Sequence, residues 1–470
     1  MPIPVISVAQ MREWERATWA AGQNEAEVIR LVGKRVARRV RKLTRAADSI
    51  LFLVGKGHNG DDARAAAKQL EGRRAKVLEI FLPDTNLLPL EQALREKPNL
   101  IVDGLFGIGL NRPLSEAWQN IIGAVNASQI PVLSVDVPSG LNADTGETFG
   151  AAIEAAITLT VGAPKAGMLT PAAWPFVGRL EIVEEAGLIP CPLQAGLSWT
   201  LPTDFERFPP ARPVAGHKGT FGHAGIVSGS FGYHGAAVLA TRGAQRAQPG
   251  LTTLFTQENV FHPVAAQLQS AMVKAWRPDN LLLANVTAAL IGPGLAAPEI
   301  FDAMKEFTRH QWRSATCPLV VDASALDFLA AEPFQKNFIR VLTPHPGEAA
   351  RLLNSTSQKV QSDRVTALRD LSRKYGGAWV VLKGHQTLIG RAEGNLFVNP
   401  SGNPHLAQGG SGDLLAGFIA GLLAQPARAA DVETTLRYAV WQHGAAADRL
   451  TASRGNWTVE ELAADIGKVR

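Results

Sequence analysis

Cysteine is almost absent: Cys191 and Cys317 are the only two in 470 residues. Two thiols exclude a disulfide framework and a cysteine-built metal site, and they suit a reducing, cytoplasmic compartment. No uncharged apolar run is long enough to span a bilayer. The opening Met1-Pro-Ile-Pro-Val lacks the basic stretch and apolar core of a secretion signal. No membrane partner is therefore expected. The run Lys34 to Lys42 is strongly basic, but no aromatics interleave with it. A single-strand binding platform would need them, so no nucleic-acid partner is expected and a solvated helix face is the plainer reading. Charged residues make up 19% and hydrophobic ones 46%, the balance of a soluble globular protein. The length suggests two or three domains, each able to bury a core.

What the chain does have is glycine beside helices. Gln408-Gly-Gly-Ser-Gly-Asp413 stands just before an apolar, Gly/Ala-rich helical run. Free N–H groups at a helix start, with no side chains blocking approach, make an anion site. Asp413 falls in the first turn. A carboxylate aimed at the same point as an anion hole suits a base that deprotonates a hydroxyl while a phosphoryl group is held. A plain glycine turn with Asp413 as helix cap is the competing reading of this stretch alone.

Apolar runs that stop at polar turns recur along the chain. Ser49–Val54 leads into Gly55-Lys-Gly-His58-Asn59-Gly60-Asp61-Asp62, then an Ala-rich helix predicted over 63–70. Asn99–Val102 leads into Asp103, Pro131–Val135 into Asp136, and Ile157–Val161 into Gly-Ala-Pro-Lys165. Ligands of open α/β sheets lie at such strand ends. The spacing of the first loop fits neither the dinucleotide fingerprint nor a Walker loop. Oxygens of Asn59, Asp103 and Ser139 could hold a hard cation without Cys or His. For Lys165, a loop lysine in solvent is as good a reading as one near a site.

Prolines crowd residues 189–213, which reads as an irregular connector and places a boundary near residue 200. Beyond it the same rhythm returns: 226–227, 251–256, 288–291, 319–321, 339–342 and 379–382 read as strands, separated by helical stretches. The fold class is α/β in both halves.

The motifs Asp103 to Leu110 and Asp136-Val-Pro-Ser-Gly140 resemble the NAD(P)H-hydrate epimerase domain of the bifunctional NAD(P)H-hydrate repair enzymes. The first loop departs from that family, with His58, Asp61 and Ala63 where Asn, Gly and Gly are usual. Asp61 adds a charge where a phosphate-bearing ligand should approach. His-Lys-Gly-Thr-Phe-Gly222, Thr343-Pro-His-Pro-Gly-Glu348, Lys383-Gly-x-x-Thr387 and Gly-Gly-Ser-Gly-Asp413 resemble the family's dehydratase domain. Ala296 and Ser324 stand where glycine and aspartate are usual.

The resemblance implies a Rossmann-like epimerase domain over 1–200 and a ribokinase-like, ADP-dependent dehydratase domain over 201–470. It implies that hydrated NADH or NADPH is held by His58, Asn59, Gly60, Asp61 and Asp62, by Gly107, Ile108, Gly109, Leu110, Asn111, Arg112 and Pro113, and by Asp136. Potassium would sit on Asn59, Asp103 and Ser139. In the second half Ala236, Ala296, His345 and Asp413 would contact the hydrate. Lys383, Gly384, His385, Gln386, Thr387, Gly409, Gly410, Ser411 and Gly412 would hold ADP, or ATP, with magnesium. Asp136 and Asp413 are the implied acid/base residues, and a homo-oligomer is expected. Two rivals remain at this level: a vitamin-precursor kinase in the second half, and a non-catalytic binding module in the first.

Overall fold

The computed structural model describes residues 2–70, 72–277, 283–298, 301–330 and 338–468. It divides into two compact units, Ile3–Ala195 and one comprising Gly196–Arg470.

The first unit opens with helix α1 (Val8–Ala20), started by a capping box in which Ser7 and Gln10 exchange hydrogen bonds. Helix α2 (Glu25–Leu43) buries Val28, Val32, Val36 and Val40 along one stripe. Its basic residues lie on the other face, where Arg39 meets Glu181 at 2.7 Å through both oxygens. Strand β1 (Ser49–Val54), helix α3 (His58–Lys68), β2 (Arg74–Glu79), α4 (Pro83–Arg95), β3 (Leu100–Gly104), α5 (Glu116–Ala127), β4 (Val132–Val135), β5 (Ile157–Val161) and β6 (Arg179–Val183) follow. The strands pair in the order β2-β1-β3-β4-β5-β6, all parallel. The order reverses direction between β1 and β3. That topological switch opens a crevice at their carboxyl ends, where Gly57 to Asn59 and Asp103 stand.

Helix α3 starts at His58 rather than at Ala63 as the alanines suggested. Gly57 makes the early start possible: it precedes the helix with φ +86°, which other residues rarely adopt. Gly60 lies in the helix against β1, where a Cβ would come 2.1 Å from Gly55 O.

In the second unit the proline-rich connector is not wholly irregular. Leu197–Trp199 forms β7, parallel to Leu396–Val398. Next come β8 (His223–Val227), α6 (His234–Arg246), β9 (Leu251–Thr256), β10 (Met272–Ala275), β11 (Ala288–Ile291), α7 (Phe301–Ser314), β12 (Leu319–Val321) and β13 (Arg340–Leu342). Helix α8 (Pro346–Leu352), α9 (Arg364–Lys374), β14 (Trp379–Leu382), β15 (Leu388–Gly390), β16 (Leu396–Val398), α10 (Ser411–Leu423), α11 (Val432–Ser453) and α12 (Val459–Asp465) complete it. The strand order is β7-β16-β15-β14-β13-β12-β11-β8-β9-β10, with β15 antiparallel to both neighbours.

Helix α10 is buried nearly all round and crosses α6. Its glycines explain the close crossing. A Cβ on Gly417 would lie 1.9 Å from Ala240 O, and one on Gly243 would lie 2.1 Å from Leu414 O. The two helix starts therefore stand over the same end of the sheet, at the switch between β8 and β11.

Candidate active sites

In the first unit a cavity of about 1040 Å³ opens at the strand ends. Met11, Arg12 and Glu15 of α1 line it, with Lys56 to Asn59, Asp62, the loop from Phe106 to Ser115, Trp118, Asp136 and Val161. Phe106 and Trp118 meet edge to face, with centroids 4.6 Å apart. The cavity thus offers apolar ring surface beside convergent polar groups, the usual make-up of a small-molecule site.

Asp136 follows β4 with φ +62°, a left-handed backbone that is strained for a non-glycine residue. Its Oδ1 accepts hydrogen bonds from Lys165 Nζ at 2.6 Å, Val161 N at 3.1 Å and Thr160 Oγ1 at 3.2 Å. Lys165 is fully buried and also donates to Thr160 Oγ1 and the Val161 carbonyl. The solvated-loop reading of Lys165 is therefore wrong. Its position just after a strand end was the available signal. Asp62 is 8% exposed and lines the same cavity. Burial pushes its carboxyl well above the usual range, and Asp136, Asp61 and Glu15 add to that. Glu15, on α1, is raised too, by burial and then Asp136. No sequence motif marked it.

Asp103 has no exposed surface. Its Oδ1 accepts from Ser139 Oγ at 2.6 Å and Leu105 N, and its Oδ2 from Ser134 Oγ and Ser139 N. No cation pairs with it among the described residues, and burial raises its pKa despite those bonds. Asn59 Nδ2 donates to Phe106 O at 2.8 Å, while the buried Asn59 Oδ1 has no partner among the described residues. Phe106 N in turn donates to Ser139 Oγ at 2.8 Å. Asn59, Asp103 and Ser139 are thus joined through the Phe106 backbone. An orphaned amide oxygen beside an uncompensated carboxylate is the chemistry a hard monovalent cation fits.

Two predicted contacts face elsewhere. Asp61 points to Arg64 at 2.5 Å, and neither it nor Gly60 lines the cavity. The helix start at His58 explains this, because it turns Asp61 away while Asn59 and Asp62 turn inward. His58 lines the rim and reaches Glu25 at 2.8 Å.

In the second unit the glycine loop ends at Gly410, whose φ of +92° precedes α10. Ser411 is buried, and its carbonyl and hydroxyl lie 3.1 and 3.3 Å from His443 Nε2. Burial holds His443 down to about 4, so the ring is neutral at pH 7. Asp413 stands one helical turn in. Burial, then Asp322, raise its pKa to about 6, and Lys383 opposes them. Lys383 Nζ lies 2.8 Å from Asp322 Oδ1 and 3.8 Å from Glu348 Oε2. A Cβ on Gly412 would come 3.3 Å from that ammonium. Asp413, Lys383, Gly412, Asp322 and Glu348 therefore converge.

The loop after β14 is held from below by Arg364, a buried guanidinium donating to the carbonyls of Leu382, Lys383 and His385. Burial lowers its pKa to about 10. Nothing in the sequence singled it out. Gly384 takes φ +133° and Gln386 φ +53°, and Thr387 Oγ1 donates to Gly384 O. Ala236 and Ala296 flank the β8–β11 switch. A Cβ on Gly294 would lie 2.9 Å from Ala236 Cβ, and Ser230 ties Gly294 O to Ala297 N. His345 caps α8: its Nδ1 accepts from Gly347 N and Glu348 N, and Glu348 accepts from His345 N. That is the bracing role. Among the described residues no cluster of three His, Cys, Asp or Glu side chains forms a metal cage.

Residues 224–468 match the family model described as NAD(P)H-hydrate dehydratase, and 25–90 with 81–167 match that described as the YjeF-related protein N-terminus. The bifunctional NAD(P)H-hydrate repair enzyme of Coxiella burnetii is 34% identical over 95% of this chain and 94% of its own. The chain belongs to this family. Among solved structures, a ribokinase-like superfamily protein from Enterococcus faecalis is similar at 26% identity, with a TM-score of 0.51 over 59% of this chain and 96% of that one. The ADP/ATP-dependent NAD(P)H-hydrate dehydratase of Bacillus subtilis, co-crystallised with ATP and Mg2+, is 32% identical over 55% of this chain and 92% of its own, with a TM-score of 0.48. Among the described residues no helix is long and apolar enough to cross a membrane.

Proposed function

We propose that this chain restores hydrated NADH and NADPH. The first unit interconverts the two epimers of the hydrate, and the second dehydrates the S form at the expense of ADP, or ATP. The observation that carries this reading is the pairing of two differently built sites in one chain. One is a ring-lined cavity with the Asp136–Lys165 pair, and the other is a glycine anion hole with Asp413 beside Lys383.

In the second unit Asp413 removes the proton of the ring hydroxyl as its oxygen attacks the terminal phosphorus. The N–H groups of Gly409 to Gly412 and the Lys383 ammonium hold the transferred phosphoryl oxygens. AMP leaves when ADP is the donor. The ring nitrogen lone pair then expels phosphate, and loss of a proton from the neighbouring carbon restores the double bond. Phosphorylation matters because hydroxide is a poor leaving group and phosphate a good one. Magnesium would arrive on the nucleotide phosphates.

In the first unit the carbon that inverts bears both the hydroxyl and the ring nitrogen. Asp136 exchanges a proton at that hydroxyl. Asn59, Asp103 and Ser139 would hold potassium, whose charge offsets the buried Asp103 carboxylate and steadies the Phe106 turn.

The test is stoichiometry. NADH, AMP and orthophosphate should appear one to one to one from the S hydrate and ADP. A stable phosphorylated ring would instead support a vitamin-precursor type of kinase.

A further inference from the structure

Two carboxyl groups in the epimerase cavity have opposite surroundings. Asp136 has one oxygen saturated by an ammonium, a hydroxyl and a backbone N–H. Asp62 has no hydrogen-bond donor and no cation within bonding reach among the described residues, although it is nine-tenths buried. A buried carboxylate without a partner costs several kcal/mol, so such a group keeps its proton. Asp136 has the Lys165 ammonium 2.6 Å from one oxygen. Two carboxyls in such different surroundings suit the acid and base roles of one reaction.

We propose that Asp62 is the proton donor that expels the ring hydroxyl as water, and that Asp136, held by Lys165, accepts the proton of the water that returns. This rests on the first unit being an epimerase. The steps balance. The ring hydroxyl oxygen takes a proton from Asp62 and the C–O bond breaks. The ring nitrogen lone pair forms the C=N bond of a planar cation. Water then adds to the opposite face, the π pair returns to nitrogen, and the water proton passes to Asp136 Oδ2, the oxygen left free of Lys165. The proton returns to Asp62 through solvent in the open cavity. The reverse inversion runs the same steps backwards.

Asp62's surroundings agree with this. Burial, then Asp136, Asp61 and Glu15, favour its neutral form. The charged groups facing the cavity are Arg12 and Glu15 from α1, Lys56 and His58 before and at the start of α3, and Arg112 from the loop after β3. Lys165 is not among the residues that line the cavity and meets that lining at Asp136 and the Val161 carbonyl, so it is a positioning residue.

The experiment follows epimer interconversion chromatographically with the whole chain and no adenine nucleotide, so that the dehydratase is silent. Wild type should give a bell-shaped pH profile. Asp62→Asn should lower kcat at least a hundredfold, with KM within about threefold, and remove the alkaline limb. Asp62→Glu, which keeps a carboxyl, should restore that limb. Lys165→Met should lower kcat at least tenfold with KM within about threefold, because Asp136 loses the ammonium that holds it, and Lys165→Arg, which keeps a cation, should recover part of that rate. An Asp62→Asn enzyme that keeps a third of its kcat and its alkaline limb would overturn the proposal. So would a Lys165→Met enzyme that keeps its full kcat. A wild-type chain that does not interconvert epimers would overturn the epimerase reading itself.

Discussion

Lys383 Nζ lies 2.8 Å from Asp322 Oδ1, and the same ammonium lowers the proton affinity of Asp413. One half-buried lysine thus serves two carboxylates. It neutralises Asp322, which Thr343 also holds at 2.7 Å, and it partly offsets the burial that lifts Asp413 to about 6. As a base, Asp413 works only when ionised, so nucleotide-dependent dehydration should rise as pH passes upward through about 6. Lys383→Met removes the opposing cation and should move that limb to higher pH, while raising the KM for ADP. A pH–rate profile of the S hydrate reaction checks both.

Asp413→Asn keeps the shape of the side chain and removes the base. Nucleotide-dependent dehydration should fall by about 10²–10⁴-fold, with epimer interconversion unchanged. Equal losses in both activities would mean that the substitution disturbs the whole chain rather than one site.

Potassium should show itself in stability as well as rate. Asn59 Oδ1 is buried without a partner, and Asp103 is buried without a cation among the described residues. At matched ionic strength, potassium chloride should raise the thermal midpoint of the first unit over choline chloride by about 2–4 °C. Asn59→Ala should erase the difference. Identical midpoints for the wild-type chain in the two salts would remove the cation from this site.

His443 is held down to about 4, well below the usual histidine range, because it is buried. The unfolded chain binds this proton near pH 6.5, and the folded chain only near 4. The stability it supports is therefore present above pH 6.5 and lost as pH falls toward 4. Over that window wild type should lose on the order of 3 kcal/mol relative to His443→Gln. Denaturant unfolding at pH 7 and pH 4 measures the difference.

The buried parallel strands were readable because each is a short apolar run ending at a glycine or a charged residue, as in Ser49–Val54 and Trp379–Leu382. Strand β2 was not: Arg74-Ala-Lys-Val-Leu-Glu79 lies at the sheet edge, largely exposed, so nothing demands an apolar run there. The glycine anion loop and Asp413 carried a local pattern. Arg364 did not, and Lys165 carried only its place after a strand end, because the importance of both lies in what surrounds them. Lys165 is buried against a carboxylate 29 residues away, and Arg364 grips carbonyls 18 to 21 residues on. Asp61 was misplaced for a related reason: where α3 begins, at His58 and not at Ala63, decides which side chains face the cavity.

Repair by both units is measured in one mixture of the two NADH-hydrate epimers with ADP, magnesium, potassium and the whole chain, at a pH where spontaneous epimerisation is slow. NADH absorbance should recover completely, only with nucleotide, and faster than the uncatalysed epimerisation allows. Recovery that stalls when the S form is spent would leave the second activity and contradict the first. No recovery with either ADP or ATP would contradict the account of the chain as a repair enzyme.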